Sequence, residues 1–333
     1  MNAPLRALLQ QTSRSFYLTL RVLPGSVRYQ ISLAYLLART TDTIADTELV
    51  PVAQRLAALD ELRQLICTGK SSPVGFAELI RTQSATAERA LLEQREQVLA
   101  QLQSATSAAD RKLIAELLEV IISGQELDLR RFVDGTGGRI VALQSENELD
   151  DYTYRVAGCV GEFWTKICRA HVFPGAPLND AQLLTDGVRF GKGLQLVNIL
   201  RDVPADLRQG RCYLPQSALA EVELIPQDLL NPAAEKKLRP LYNRYLDLAA
   251  AHLAAGWAYT NALPWRCLRV RLACAWPVLI GLKTLARLRI ENPLDPVRPV
   301  KITRRDVRGV IWRSVLLYPF PAPWRRQAMP PAR

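Results

Sequence analysis

Histidine is nearly absent from this chain, and its scarcity narrows the chemistry that the protein can perform. Only His171 and His252 occur among 333 residues, which disfavours both a histidine-ligated zinc site and a serine–histidine nucleophile. The six cysteines are scattered and include no Cys-x-x-Cys pair. We therefore expect reduced, mostly buried thiols in a cytoplasmic protein.

Long apolar runs are also lacking. No run approaches the roughly 18 apolar residues that cross a bilayer, and the longest candidate, residues 272–282, contains Pro277. The N-terminal residues have neither an apolar core nor a small-residue cleavage site, so we expect no secretory signal. The sequence predicts a protein without a transmembrane helix.

Positive charge is concentrated near the C-terminus. Residues 263–333 contain 15 Lys and Arg against 3 Asp and Glu, whereas residues 1–262 contain 28 against 29. Such a region suits nucleic acid, a membrane surface or a polyphosphate ligand. No nucleic-acid-binding motif accompanies it, so we expect no nucleic-acid partner. A basic nucleic-acid-binding helical protein and a non-catalytic helical scaffold are retained as alternatives of other classes.

The hydrophobic pattern is helical. Apolar residues recur at intervals of three and four, and alternating strand patterns with hairpin turns are missing. We predict an all-α domain over residues 1–316, a single large helical bundle around a central cavity. The predicted helical segments are residues 3–22, 27–46, 53–67, 87–102, 109–132, 152–170, 181–203, 233–263 and 267–288.

Residues 317–333 differ from the rest because prolines alternate with aromatic and basic residues. This pattern predicts an extended tail. Either the tail is a frayed end, or its Tyr, Phe and Trp lie at the headgroup level of an anionic membrane. The second interpretation predicts a peripheral protein on the inner face of the membrane.

Two aspartates share one face of a predicted helix. Asp42 and Asp46 are four residues apart, and Tyr35 and Arg39 precede them at the same helical spacing. The intervening residues are mostly small or apolar, so two carboxylates buried there need a cation. Mg²⁺ fits because it takes oxygen ligands and often combines one or two carboxylates with substrate phosphates.

A second acidic face lies in another apolar segment, at spacings of three, four and four; it comprises Gln195, Asn198, Asp202 and Asp206. Arg201 stands beside Asp202 and can pair with it or reach a diphosphate oxygen. Pro204 is expected to kink or end the helix. A single pair is weak evidence, but two pairs predict a Mg²⁺ cage that binds a diphosphate and assists its departure.

Five blocks, in this order, resemble the squalene/phytoene synthase family of head-to-head prenyl transferases. They are Ser13-Arg14-Ser15-Phe16, Tyr35 to Asp46, Tyr152 to Gly161, Gln195 to Asp206, and Gly210-Arg211-Cys212-Tyr213-Leu214-Pro215. The resemblance covers nearly the whole chain and implies an isoprenoid synthase fold with the aspartate pairs on facing walls of the cavity. Asp42-Thr43 and Val300-Lys301-Ile302 are most similar to bacterial squalene synthases, although Thr303 replaces a residue that is often basic.

The resemblance implies that two farnesyl diphosphates condense through presqualene diphosphate, which NADPH then reduces to squalene. Mg²⁺ is the implied metal, with Mn²⁺ as an alternative. Related activities stay open: a synthase that stops at presqualene diphosphate, one that makes dehydrosqualene, or one that makes phytoene from C20 substrates. Because no glycine-rich dinucleotide fingerprint is found, NADPH is expected to bind outside a Rossmann fold. The oligomeric state is not indicated.

The resemblance also implies roles for single residues. Tyr152 corresponds to the tyrosine that steers proton loss, and it is implied as catalytic together with the four aspartates. The implied metal ligands are Asp42, Asp46, Asn198, Asp202 and Asp206. Lys301 is implied in NADPH binding. The implied substrate-binding residues are Ser13, Arg14, Ser15, Phe16, Tyr35, Arg39, Val156, Val160, Gln195, Asn198, Arg201, Arg211, Tyr213 and Pro277. Ordinary core packing is the alternative for Phe16 and Tyr35. Gly158 and Gly161 permit either close packing or a prenyl chain.

Overall fold

The computed structural model describes residues 3–13, 16–68, 76–133 and 139–328. Within these ranges the chain is almost entirely helical, which confirms the all-α prediction. Its helices are α1 (Ala3–Thr12), α2 (Phe16–Val22), α3 (Gly25–Asp46), α4 (Val52–Thr68), α5 (Phe76–Thr82), α6 (Thr86–Glu93), α7 (Arg95–Ala105), α8 (Ala108–Arg131), α9 (Glu146–Thr153), α10 (Cys159–His171), α11 (Asp180–Arg208), α12 (Gln216–Glu221), α13 (Glu235–Ala262), α14 (Leu268–Leu288), α15 (Arg304–Leu317) and α16 (Pro321–Arg325). Short 3₁₀ turns occupy Pro226–Leu230, Pro232–Ala234 and Arg326–Ala328.

The chain divides into two compact units. The first comprises Met1–Val133 and Phe163–Pro174, and the second comprises Asp134–Glu162 and Gly175–Arg333. In the first unit α3 packs against α4, α6, α7 and α8. Its side chains Leu33, Leu36, Leu37 and Ile44 are fully buried. The first acidic face therefore stands on a helix whose remaining surface is packed into a core.

In the second unit α11 packs against α13, α14 and the turn that precedes α10. Glycines allow the closest of these approaches. A Cβ added at Gly161 would lie 1.8 Å from the carbonyl oxygen of Gly187, and one at Gly191 would lie 2.1 Å from that of Ala157. No residue with a side chain fits there, because real Cβ contacts are much longer. At Gly161 the structure thus supports close packing.

A small sheet was not predicted. Strands β1 (Val141–Ala142) and β2 (Arg211–Cys212) pair in parallel, with Val141 opposite Arg211 and Ala142 opposite Cys212. Gly210, at φ 74°, makes the turn between α11 and β2, a backbone region that favours glycine. Two-residue strands are too short for an alternating pattern, which explains why the sequence did not reveal them.

Three predicted helices are wrong in their continuity. The segment 3–22 forms α1 and α2, and the segment 87–102 forms α6 and α7, which meet at Gln94. The segment 152–170 contains a π-helical turn, Tyr154–Gly158, between α9 and α10. A π turn holds one more residue than an α turn, and hydrophobic spacing does not resolve such a local change.

The helix does not end at Pro204, because α11 continues to Arg208. A proline inside a helix leaves the carbonyl four residues earlier without its usual donor. Here that carbonyl belongs to Leu200, and the buried hydroxyl of Tyr242 donates a hydrogen bond to it at 2.8 Å. The tertiary contact replaces the missing backbone bond, and so the helix is able to continue.

The prediction of an extended tail is wrong over the described part of residues 317–333. Pro321–Arg325 forms α16, and Arg326–Ala328 forms a 3₁₀ turn. Pro321 and Pro323 lie in the first turn of α16, where backbone N–H groups have no helical acceptor and proline is tolerated. Residues 329–333 lie outside the described residues.

The C-terminal segment is held by an aromatic cluster, defined here as Trp257, Trp265, Arg271, Tyr318 and Trp324. Trp324 is fully buried, stacks on Trp257 with ring centroids 5.4 Å apart, and meets Tyr318 edge-on at 4.9 Å. The buried guanidinium of Arg271 lies 4.6 Å from the ring of Trp265. Burial lowers the pKa of Arg271, and cation–π contacts compensate the desolvated charge. Tyr318 and Trp324 are therefore core residues. In the part of the chain that the structure describes, no helix has the length and hydrophobicity to cross a membrane.

Candidate active site

The first aspartate pair lies at the C-terminal end of α3. Asp42 is half-buried and Asp46 is exposed. Thr40, which precedes them, and Thr43, which lies between them, are buried. Each of these threonines donates its hydroxyl to the carbonyl four residues earlier, at 2.9 Å in both cases. The hydroxyl groups of Thr40 and Thr43 are therefore satisfied within the helix.

The carboxylate of Asp42 has a raised pKa. Gln125 donates a hydrogen bond to Asp42 Oδ1 at 2.5 Å, and Arg39 Nη1 lies 3.8 Å from Asp42 Oδ2. Burial raises the pKa of Asp42 to about 6, the charge of Asp46 acts in the same direction, and Arg39 and Gln125 oppose both. Although 46% of its side-chain surface is exposed, the surrounding protein keeps the carboxylate poorly solvated. A divalent cation bound there would relieve the unfavourable charge.

Arg39 is shared between two carboxylates. Its Nη2 donates a hydrogen bond to Glu88 of α6, and its Nη1 faces Asp42. Burial alone would lower the pKa of Arg39, but the charges of Asp42 and Glu88 raise it overall. Glu88 and Gln125 are the site residues that sequence reasoning missed. Both reach the acidic face through contacts between helices, which no local spacing signals.

Phe16 and Tyr35 pack against each other, with ring centroids 5.1 Å apart at 32°. The Tyr35 hydroxyl donates to the carbonyl of Thr12 at 3.0 Å. Ser13 is buried, and its hydroxyl donates to the carbonyl of Leu9. These contacts join α1, α2 and α3 and are those of packing residues. Arg14 and Ser15 lie outside the described residues.

The second aspartate pair lies on α11. Arg201 donates two hydrogen bonds to Asp202, from Nε to Oδ1 at 2.9 Å and from Nη2 to Oδ2 at 2.5 Å. The hydrogen bond to Asp202 raises the pKa of Arg201, against the effect of burial, and the charges of Asp202 and Asp206 raise it further. Because a carboxylate has about four acceptor positions, Asp202 can still accept at its free lone pairs. Gln195 is half-buried and Asn198 is exposed.

Residues from three predicted blocks meet at the C-terminal end of α11. Asp206, Arg211 and Tyr213 line one small pocket. Tyr152 is buried and stacks on Tyr213, with ring centroids 4.7 Å apart at 23°. The β1–β2 pair fixes Arg211 beside α11. Tyr152 is thus linked through Tyr213 to the pocket that Asp206 lines, although the three residues are distant along the chain.

Tyr152 lies in the last turn of α9, whereas its neighbour Tyr154 is the first residue of the π turn. The Tyr154 hydroxyl donates to Glu162 at 3.3 Å, and its ring lies 5.8 Å from Lys192 Nζ. Val156 is half-buried, and 37% of Val160 is exposed. π turns occur often at functional sites. The two tyrosines therefore have different surroundings.

Pro277 and Lys301 are the remaining predicted residues. Pro277 is half-buried inside α14, which continues past it to Leu288. Lys301 is exposed, and its backbone carbonyl accepts a hydrogen bond from Arg287. Thr303, which departs from the family pattern, caps α15 by accepting from the Asp306 N–H at 3.1 Å. Thr303 thus stabilises the N-terminus of α15.

The donor atoms fit a magnesium ion that is shared with substrate. Within the described ranges, no group of three or more His, Cys, Asp and Glu side chains is arranged to hold a metal. Mg²⁺ does not need such a group, because it commonly takes one or two carboxylates and completes its shell with water and substrate phosphate. Asp42 with Asp46, and Asp202 with Asp206, are donor pairs of this kind.

A groove of about 530 Å³ lies elsewhere in the second unit. Its floor consists of apolar residues from α13, α14 and α15, and its edge carries Lys283, Arg289 and Arg313. None of the residues predicted for catalysis lines it. Its size alone therefore does not identify it as the reaction site.

The helical arrangement matches that of known synthases. A complex of TcSQS with the ligand E5700 aligns over 93% of this chain and 86% of its own, at a TM-score of 0.76 and 23% identity. A dehydrosqualene synthase in complex with a ligand aligns over 94% of this chain and 95% of its own, at a TM-score of 0.66 and 19% identity. Identities this low speak for the fold alone, and the protein has the isoprenoid synthase fold of squalene synthase.

The amino-acid sequence shows the family of the protein. The squalene/phytoene synthase family model matches residues 9–306, and the chain belongs to that family. Its members are prenyl transferases of isoprenoid biosynthesis that join their substrates head to head.

Two relatives with different activities are similar to this chain. A presqualene diphosphate synthase of Rhodopseudomonas palustris is 32% identical over 260 residues, which are 77% of each protein. A bifunctional lycopene cyclase/phytoene synthase of Blakeslea trispora is 30% identical over 286 residues, 82% of this chain but 43% of that protein. The chain spans about two fifths of the length of the bifunctional relatives.

Proposed function

We propose that this protein condenses two farnesyl diphosphates head to head to presqualene diphosphate in a reaction that requires Mg²⁺. The observation that carries the proposal is the Asp42 site. A half-buried carboxylate with a raised pKa, a second carboxylate four residues on and an adjacent arginine are suited to a metal-bound diphosphate. The Arg201–Asp202 pair offers a similar combination on α11.

Each group has a task in this reaction. Mg²⁺ held by Asp42 with Asp46 and by Asp202 with Asp206, assisted by Asn198, would neutralise the charge that develops on the leaving diphosphate. Mn²⁺ is the alternative ion. Arg39, Arg201 and Arg211 bind diphosphate oxygens, since guanidinium groups match their geometry. These contacts orient the C–O bond that breaks, and the electron pair leaves with the diphosphate.

The carbon skeleton is formed in an apolar space. The allylic cation is attacked by the double bond of the second farnesyl diphosphate, and loss of one proton closes the cyclopropane ring. Tyr152 steers that proton toward the released diphosphate. Its ring is held by Tyr213, so its position is fixed. Val156 and Val160, together with Phe16, Tyr35 and Pro277, exclude water from the cation.

The final product has three candidates. The Val300-Lys301-Ile302 block favours a second half-reaction, in which NADPH supplies hydride to the rearranged cation and squalene is formed. The likeness to the Rhodopseudomonas palustris enzyme favours release of presqualene diphosphate. The likeness to phytoene synthases predicts instead a C20 substrate.

The experiment is a product assay with farnesyl diphosphate and geranylgeranyl diphosphate, with and without Mg²⁺ and with and without NADPH. The proposal predicts Mg²⁺-dependent presqualene diphosphate from the C15 substrate and squalene only when NADPH is present. D42N and D202N should each lower kcat by at least about 10². An exposed acid, changed in E116Q, provides the matched control and should retain activity. The absence of any condensation product, or equal activity in all four proteins, would contradict the proposal, and an unchanged hydrocarbon without NADPH would exclude the reduction.

A further inference from the structure

One side of α15 exposes apolar residues to solvent. Trp312 is 67% exposed, Leu316 is 65% exposed, and Phe320, just beyond the helix, is 58% exposed. Trp312 and Leu316 are one helical turn apart, and Arg305 lies two turns before Trp312 on the same side. We call Arg305, Trp312, Leu316 and Phe320 the outer face of α15. A contiguous exposed patch of this kind marks a contact surface.

The segment that contains the outer face has an excess of positive charge. Residues 304–328 contain six arginines and one acidic residue, a net charge of +5. Asp306, the acidic one, is engaged by Lys283 at 3.3 Å and by the helix cap. Among the residues that the structure describes, none of the six arginines forms an ion pair. They are Arg304, Arg305, Arg308, Arg313, Arg325 and Arg326, and all are exposed.

The opposite side of α15 is anchored to the second unit. Val310 and Ser314 are buried, and Trp276 Nε1 donates a hydrogen bond to Ser314 Oγ at 2.9 Å. The aromatic cluster then fixes the chain that follows, since Trp324 Nε1 donates to Asn261 at 2.9 Å. The outer face is thus the surface of a packed helix. Its exposure does not result from a loose end.

We propose that the outer face of α15 docks this protein onto the surface of an anionic lipid bilayer. Trp, Leu and Phe side chains insert at the boundary between headgroups and acyl chains, and the arginines around them contact lipid phosphates. Two other occupants fit less well. A second copy would bring two arginine-rich faces together, and a nucleic acid would leave the apolar residues without a matching surface.

The first arm of the test concerns the apolar residues. Full-length protein is co-sedimented with phosphatidylcholine vesicles, with and without phosphatidylglycerol, at about 0.1 M salt. W312Q/L316Q should reduce binding to the anionic vesicles at least tenfold. The matched control is L49Q/I225Q, whose residues are 78% and 57% exposed elsewhere on the protein, and it should bind like the wild type. Equal thermal unfolding of all proteins verifies that they are folded.

The second arm concerns charge. The variant R305Q/R308Q/R313Q is compared with R6Q/K112Q/R130Q, which removes the same charge from exposed positions of the first unit. Only the first should lose binding, and binding of the wild type should fall steeply as salt rises. Equal binding of the two variants, equal binding to neutral vesicles, or no wild-type binding would each overturn the proposal. The proposal would also be overturned if the wild type formed dimers, or bound DNA, and W312Q/L316Q abolished that interaction. The outer face would then bind a second copy or a nucleic acid.

Discussion

The metal-free protein should become more stable when Asp42 loses its charge. A carboxyl group whose pKa rises on folding binds more protons in the folded state, so its contribution to stability falls as the pH rises between the two pKa values. For Asp42 this window runs from 3.8 to about 6. D42N removes the penalty while its amide oxygen can still accept the hydrogen bond from Gln125. D42N should therefore be more stable than the wild type at neutral pH, and equally stable near pH 3.8.

The magnitude follows from the size of the pKa shift. A rise of the pKa from 3.8 to about 6 corresponds to at most ~3 kcal/mol. Because 46% of the side chain is exposed, solvent screening reduces this to about 1 kcal/mol. For a chain of 333 residues this corresponds to a rise in Tm of about 1–2 °C.

The assay is thermal unfolding in EDTA at about pH 7.5 and about pH 4, with E116Q as the control for loss of an exposed acid. D42N should unfold at a higher temperature than the wild type at about pH 7.5, and at the same temperature as the wild type at about pH 4. An equal gain at both values, or no gain, would refute the claim that the Asp42 carboxylate is held in an unfavourable environment.

Three further predictions concern packing and catalysis. G161A should lower stability by more than about 3 kcal/mol in denaturant unfolding, since a Cβ there would lie 1.8 Å from a backbone oxygen. G309A, where a Cβ meets nothing within 4 Å, should instead raise stability by about 0.5–1 kcal/mol; the same sign for both would contradict the packing account. Y152F keeps the ring stacked on Tyr213 but should lower presqualene diphosphate formation at least tenfold in a single-turnover assay; an unchanged rate would exclude the hydroxyl from catalysis. R201K cannot reproduce the two parallel bonds to Asp202 and should raise the Mg²⁺ concentration needed for half-maximal activity about tenfold, whereas unchanged Mg²⁺ dependence would show that the pair is structural.

Sequence reasoning succeeded where the signal was local and periodic. The spacing of Asp42 and Asp46 requires only helical geometry, and α3 has that geometry. One local signal was available but unused: Thr303 and Asp306 form a capping box, which marks the start of α15.

Long-range contacts could not be predicted in this way. The helix passes Pro204 because Tyr242, far along the chain, supplies a donor to the carbonyl of Leu200. Trp324 is a core residue because it meets partners on α13, whereas its local sequence indicated an exposed tail. Glu88 and Gln125 reach the first acidic face only through the packing of helices. In each case the decisive atom belongs to an element that is remote in sequence.

The central claim is that each aspartate pair holds a divalent cation for a substrate diphosphate. It is tested most directly by a crystal structure of this protein with Mn²⁺ and an unreactive analogue of farnesyl diphosphate, in which anomalous scattering locates the metal. We expect Mn²⁺ on Asp42 with Asp46 and on Asp202 with Asp206, with diphosphate oxygens among its ligands. Metal at only one pair, or a diphosphate bound by the C-terminal arginines without metal, would contradict it.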